Sequence, residues 1–233
     1  MNLFYREDIS SSLLELDAEE SRHCIKVLRL HSGSTIHITD GNGNLAEAVI
    51  IDDSVRNCSV EIINREKKSS GRNYHLSIAI APTKNHDRIE WFVEKATEIG
   101  VDKIIPLICS HSERRTVKAE RLKNISIAAL KQSQKFFLPE ISGTILFDDY
   151  IRSNNQGLKF ICTCEAKSSN HLKNLCIPKQ TYSILIGPEG NFSPEEIKLA
   201  LENNFTETSL GTTRLRTETA GIVACSLCSF INE

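Results

Sequence analysis

Two loops in the last quarter of the chain hold residue types suited to gripping a small molecule. Gly187-Pro188-Glu189-Gly190 follows an apolar run at 182–186. Leu210-Gly211 opens a second segment that continues as Leu215-Arg216-Thr217-Glu218-Thr219-Ala220. Glycine has no Cβ, so a ligand can lie directly against backbone N–H and C=O groups. Loops at the carboxyl ends of neighbouring strands are where an open α/β sheet binds its ligands. The residues by themselves read as a site for a small polar ligand or, more plainly, as two ordinary strand-to-helix turns.

The elements that must hold these loops can be read around them. The run at 182–186 is β-branched and apolar, as expected of a buried strand. Ser193 is placed to cap a helix, Pro194 suits its first position, and Glu196 completes a capping box. After the second loop, Ala220, Val223, Ala224, Leu227, Cys228 and Ile231 form an apolar stripe, while Ile222, Cys225 and Phe230 make the other side apolar as well. A helix that is apolar nearly all round should be buried on more than one side, and a partner subunit is the economical cover.

Upstream, residues 2–6 read as a short strand. Asp17 and Glu20 have the spacing of a capping box for a helix to about Leu28, on which Arg22, Lys26 and Arg29 share a face. Alternation at 34–40, 45–51 and 59–65 marks strands, with Asp40-Gly41-Asn42-Gly43-Asn44 as a hairpin turn. The polar stretch 66–73 reads as a linker. Next come a strand at 75–81, a helix with a capping box at Asp87 and Glu90, a helical face of Ile89, Phe92, Ala96 and Ile99, a stop at Gly100 and a strand at 101–109. This βαβ unit predicts a parallel strand pair. Lys84 lies in the first of its loops, Arg114 and Arg115 in the loop that follows, ahead of a helix from about Lys118 to Lys135. A further strand at 158–164 ends at Glu165. The pattern divides into a small β-rich module at 1–68 and an α/β module at 74–233.

With 233 residues, 40% of them hydrophobic, the chain can bury one large or two small cores. The net charge of −2 excludes a global basic field, so any nucleic acid must be held by local patches. The first residues form no apolar signal segment and no run reaches membrane-spanning length, so a cytoplasmic protein is expected. Eight cysteines lie mostly in apolar runs, which argues for packing rather than disulfides. Cys225 and Cys228 fall inside a helix, where a redox pair gains nothing from a helix N-terminus. The seven histidines show no zinc spacing to any cysteine. Gly-x-Gly-x-x-Gly is absent after the strands, against a dinucleotide-binding enzyme.

The Gly-Pro-Glu-Gly loop, followed by Leu-Gly and Leu-Arg-Thr-Glu-Thr-Ala, resembles the SPOUT superfamily of knotted RNA methyltransferases. Within it the chain is most similar to the RsmE family, the 16S ribosomal RNA uracil-N3 methyltransferases. The segment from Pro82 through Lys84, Arg88, Glu90 and Lys95 to Val101 resembles the same family, as do residues 23–30 and 129–139. Lys131 and Lys135 depart from it, standing where an acidic residue and an arginine are common. The resemblance implies a PUA-like β-barrel before a parallel α/β domain with a C-terminal trefoil knot, dimerisation through that domain, and S-adenosylmethionine as cofactor. Cofactor contacts are implied at Ile186, Gly187, Glu189 and Gly190, at Leu210 and Gly211, and at Leu215, Arg216, Thr217, Thr219 and Ala220, with Cys164 and Glu165 as a third wall. No metal is implied. Arg216 would offset charge on a uracil carbonyl, and Glu218 would accept the N3 proton, orient Arg216, or only cap the helix that follows. Arg6, Arg22, Lys26, Arg29, Lys84, Arg114 and Arg115 would grip the 16S rRNA of the small ribosomal subunit. The open alternatives are a related enzyme acting on transfer RNA and a non-catalytic RNA-binding assembly protein.

Overall fold

A computed structural model describes residues 1–153 and 156–233. The chain separates into two compact units, Met1–Gly71 with Leu130–Leu138, and Arg72–Ala129 with Pro139–Glu233.

The first unit contains β1 (Leu3–Tyr5), β2 (Leu13–Glu15), α1 (Ala18–Arg22), β3 (Thr35–Thr39), β4 (Asn44–Asp52) and β5 (Ser59–Lys67). The strands form one sheet in the order β1-β3-β4-β5-β2, parallel at β1/β3 and antiparallel elsewhere. The expected hairpin joins β3 to β4: Asp40 Oδ1 accepts from the N–H groups of Asn42 and Asn44, and Gly41 and Gly43 supply φ of 73° and 85°. Phe4, Ile36, Ile38, Ile50 and Val60 form the core. Segment 130–138 adds Leu130, which packs with Leu3 and Leu45.

The helix expected to reach Leu28 is shorter. Asp17 caps α1 by accepting from the N–H groups of Glu19 and Glu20. The reciprocal half of the box is not formed, because the Glu20 carboxylate pairs with Lys131 instead. After Arg22 the chain widens into a π turn over His23–Val27, closed by Leu28 N–H on the carbonyl of His23, and Arg29 turns left-handed with φ of 57°. Arg22, Lys26 and Arg29 are all exposed but do not share one α-helical face. The sequence reading failed here because the i, i+4, i+7 rule requires unbroken α-helical closure.

The second unit contains β6 (His75–Ile80), α2 (His86–Ile99), β7 (Lys103–Ile108), α3 (Ala119–Gln132, which runs on into segment 130–138), β8 (Glu140–Ile141), β9 (Ile145–Leu146), α4 (Phe147–Arg152), β10 (Leu158–Cys162), α5 (Leu172–Leu175), β11 (Thr181–Ile186), α6 (Pro194–Glu202), β12 (Thr206–Thr208) and α7 (Thr217–Asn232). Its sheet runs β12-β10-β11-β6-β7-β8, with β9 also on β7, and all its pairings are parallel. One core packs α2 and α7 over one face of the sheet, through Phe92, Ala96, Ala224 and Cys228. A second gathers α4 and α6 around Phe147, Phe192 and Ala200. Gly100 ends α2 with φ of 116°, as expected. Its cap, however, is Asn85, which accepts from Asp87 N–H; Asp87 lies in the first turn and Glu90 pairs with Arg121. The capping box at Ser193, Pro194 and Glu196 forms in full.

On α7 the deeply buried positions are Thr217, Glu218, Gly221, Ala224, Cys225 and Cys228. Ala220, Val223, Leu227 and Ile231 are only half-buried and Phe230 is 70% exposed, so the buried face is rotated from the expected stripe. Gly221 explains the rotation: a Cβ there would lie 2.5 Å from the Phe92 ring, so the helix meets α2 along its glycine.

Candidate active site

β10 lies between β11 and β12, and β11 lies between β10 and β6, all parallel. The loops that leave their carboxyl ends therefore emerge along one edge of the sheet: residues 81–85, 163–167, 187–192 and 209–216. This brings together the two loops singled out in the sequence, the wall at Cys164 and Glu165, and the loop bearing Lys84.

Each loop is fixed from within. Thr163 is buried, donates to the Glu207 carboxylate at 2.7 Å and accepts from Ala166 N–H at 3.0 Å, which leaves Cys164 and Glu165 exposed between these anchors. In the loop after β11, a Cβ on Gly187 would meet the Phe192 ring at 3.0 Å, and one on Gly190 would meet His111 at 3.2 Å. His111 Nδ1 lies 3.1 Å and 3.0 Å from the carbonyl oxygens of Gly190 and Asn191; both only accept, so Nδ1 carries the proton. Glu196 accepts from Ser193 N–H and from Ser110 N–H, at 2.8 and 2.7 Å, and so ties the loop after β7 to the start of α6. In the loop after β12, Ser209 Oγ accepts from Gly211 N–H, and Gly211 has φ of 132° with open space where a side chain would stand. The Ile186 side chain is core, so only its backbone can face a ligand. Leu210 and Ala220 are partly buried against the same core. Leu215 and Thr219 are half-buried beside the exposed Arg216.

The start of α7 closes this edge. Thr217 Oγ1 donates to the Gly187 carbonyl at 3.0 Å. Arg216 is the N-cap residue but makes no side-chain cap. Glu218, in the first turn, is 7% exposed. Its Oε1 lies 3.8 Å from Arg88 Nε, and its Oε2 is buried without a hydrogen-bond partner among the described residues. Arg88 in turn lies 4.0 Å from Glu189, whose Oε1 accepts from Lys84 N–H at 3.2 Å. The resemblance implies that Glu218 accepts a proton, orients Arg216 or caps the helix; the cation beside it in the structure is Arg88. Arg88 stood within a segment already marked by resemblance, but nothing in its spacing disclosed the pairing.

Of the basic residues, Lys84 is exposed and paired with Glu113 at 2.9 Å, and that carboxylate raises its pKa. Arg114 donates to the Lys84 carbonyl and contacts His86, while Arg115 is exposed. Arg6 is drawn inward onto the carbonyls of Asp8 and Glu15. Among the described residues no cluster of His, Cys, Asp and Glu could hold a metal, and no helix is long and apolar enough to cross a membrane. The eight cysteines are free; Cys228 faces Cys176 at 3.8 Å rather than Cys225.

The site suits a small polar ligand held by main chain: two closely packed glycine turns, an open Gly211, and a buried carboxylate oxygen without a hydrogen-bond partner among the described residues. Comparison with known proteins agrees. An RNA methyltransferase domain family matches residues 70–229, and an RNA methyltransferase PUA domain family matches residues 16–63. A protein of Rickettsia conorii named ribosomal RNA small subunit methyltransferase E is 32% identical over 92% of this chain and 88% of its own. The crystal structure of a probable rRNA methyltransferase from Porphyromonas gingivalis is 38% identical, with a TM-score of 0.91 over 100% of this chain and 98% of the other. A ribosomal RNA small subunit methyltransferase E from Neisseria gonorrhoeae, solved bound to S-adenosyl methionine, is 25% identical with a TM-score of 0.84 over 100% of this chain and 98% of its own.

Proposed function

The chain belongs to the RNA methyltransferase family, and from that premise we propose that its acceptor is N3 of a uridine in the 16S rRNA of the small ribosomal subunit. It is an S-adenosylmethionine-dependent rRNA methyltransferase with a SPOUT domain that follows a PUA-like module. We take the modules to span 1–68 and 74–233, with segment 130–138 returning to the first unit, the second module knotted at its C-terminus, and the protein to act in the cytoplasm as a homodimer.

The cofactor is held, on this reading, by backbone from Ile186, Gly187, Gly190, Leu210, Gly211, Leu215 and Ala220, with Cys164, Glu165, Glu189, Arg216, Thr217 and Thr219 around it. When bound, S-adenosylmethionine supplies a methyl group on a sulfonium, whose departure as a neutral thioether needs no metal. The residues must then deal with the acceptor. N3 of uracil carries a proton that must leave as the N–C bond forms, and negative charge grows on the flanking carbonyls. Glu218 accepts that proton through Oε2, and Arg216 offsets the carbonyl charge. A paired uracil hides N3, so the base enters unstacked. Arg6, Arg22, Lys26, Arg29, Lys84, Arg114 and Arg115 hold the phosphates.

The observation that carries this reading is Glu218 Oε2, buried without a hydrogen-bond partner among the described residues and next in sequence to the Thr217 hydroxyl that donates to the Gly187 carbonyl. Native structures leave few such atoms without a functional reason. The test is methyl transfer to small subunits that lack the modification, followed by mapping of the product base. N3-methyluridine at one position is expected, and Glu218→Gln should lower kcat roughly 10²- to 10⁴-fold while S-adenosylmethionine affinity holds. Methyl groups found only in transfer RNA, or full activity in the variant, would sink the proposal.

A further inference from the structure

We infer that Arg88 is a positioning residue for methyl transfer, the guanidinium that holds Glu218 in place and balances its charge; this rests on the function proposed above. Arg88 projects from the first turn of α2 and stands between two carboxylates, 3.8 Å from Glu218 and 4.0 Å from Glu189. Those carboxylates belong to separate elements, one to the start of α7 and one to the loop after β11. The same two elements are joined by Thr217 Oγ1 on the Gly187 carbonyl, and Glu189 is held to the loop after β6 through Lys84 N–H. Arg88 is thus a cation where three cofactor-side segments meet.

The two bland roles for such an arginine fit poorly. A phosphate contact would draw Arg88 away from both carboxylates and leave the Glu218 side chain, 9% exposed, without the cation beside it. A purely structural ion pair needs good geometry; at 3.8 and 4.0 Å these pairs are longer than hydrogen bonds, and Arg88 is about a third exposed, with 35% of its side chain open to solvent. What does require Arg88 is the Glu218 side chain, 9% exposed, with one oxygen already lacking a donor among the described residues. Catalytic contacts are commonly long in the ligand-free enzyme and tighten when substrate arrives. With Arg88 removed, Glu218 keeps its place in sequence but loses the charge that holds it toward the acceptor.

The test compares Arg88→Met, Arg88→Lys, Glu218→Gln and the Arg88→Met/Glu218→Gln double variant in the full-length protein. Arg88→Met should lower kcat on small subunits about tenfold or more, in the range of a lost electrostatic donor. KM for the subunit and the calorimetric S-adenosylmethionine Kd should stay within roughly threefold, as for a group that acts in the transition state rather than in binding. Arg88→Lys should recover part of kcat, since an ammonium restores the charge but not the fork. In the Glu218→Gln background Arg88→Met should cost nothing more. Losses that multiply, or a fall in RNA or cofactor affinity that accounts for the whole effect, would overturn the inference. A wild-type protein that transfers no methyl to small subunits would defeat the proposed function instead. The pairing itself would then be read from thermal unfolding of the ligand-free chain. Arg88→Met should lower the midpoint more when Glu218 is intact than in the Glu218→Gln background, and equal shifts would overturn it.

Discussion

Cys164 is the exposed thiol among eight cysteines, and it sits in the loop after β10 that we assign to the cofactor. Burial pushes the thiols of Cys109 and Cys162 up, and that of Cys225 up to about 12. The thiolate is the nucleophile, so at neutral pH these three stay protonated and inert. Iodoacetamide on the native protein should therefore modify Cys164 first, and saturating S-adenosylmethionine should slow that labelling several-fold. Peptide mass spectrometry reads both. First labelling at Cys225, or no protection, would remove this loop from the pocket. Glu218 shows where reading by residue type stops. Its carboxylate and its place at a helix start are legible, and orienting Arg216 is one of three roles open to it, but no local pattern points to Arg88. The actual neighbour, Arg88, lies far back in the chain and is brought there by the packing of α2 on α7.

At the scale of elements, that packing rests on Gly221. Replacing it with alanine sets two effects against each other. Alanine is the better helix former by about 1 kcal/mol. Its Cβ would stand 2.5 Å from Phe92, which is fully buried and cannot swing aside, and overpacking of this kind costs about 1–3 kcal/mol. The clash wins: Gly221→Ala should unfold several degrees below wild type in calorimetry, at about 2–4 °C per kcal/mol for a chain of this size. An unchanged or raised midpoint would mean that α7 can shift along α2. Element identity was readable wherever a periodic run was bounded by its own punctuation, as with Gly100 and with Ser193-Pro194. It was misread where the deciding partner is distant. Glu20 left its capping box for Lys131, Asn85 took the cap assigned to Asp87, and a π turn broke the spacing of Arg22, Lys26 and Arg29. Local rules assume that a side chain bonds locally, and these were drawn elsewhere.

For the whole molecule the open question is what covers the outer side of α7. Segment 130–138, read from sequence as helix only to about Lys135, belongs to the first unit, so the chain already returns once to complete a core that local order does not supply. α7 presents a second incomplete surface. Val223, Leu227 and Phe230 fall at i, i+4 and i+7, on one face of the helix. Val223 and Leu227 are half-buried and Phe230 is 70% exposed. Exposed apolar faces on such a helix favour a subunit contact, and a second copy placed there would sit on the element that carries Glu218. Phe230→Glu would put a charge into that contact, yet touches no core, so folding should survive it. Sedimentation velocity should find wild type near twice the 26.1 kDa of the chain and the variant near the single value. If the partner completes the pocket, the monomer should also lose S-adenosylmethionine affinity and methyl transfer. A folded monomer with full activity would show that one chain carries the whole site, and a variant that remains dimeric would move the interface away from α7.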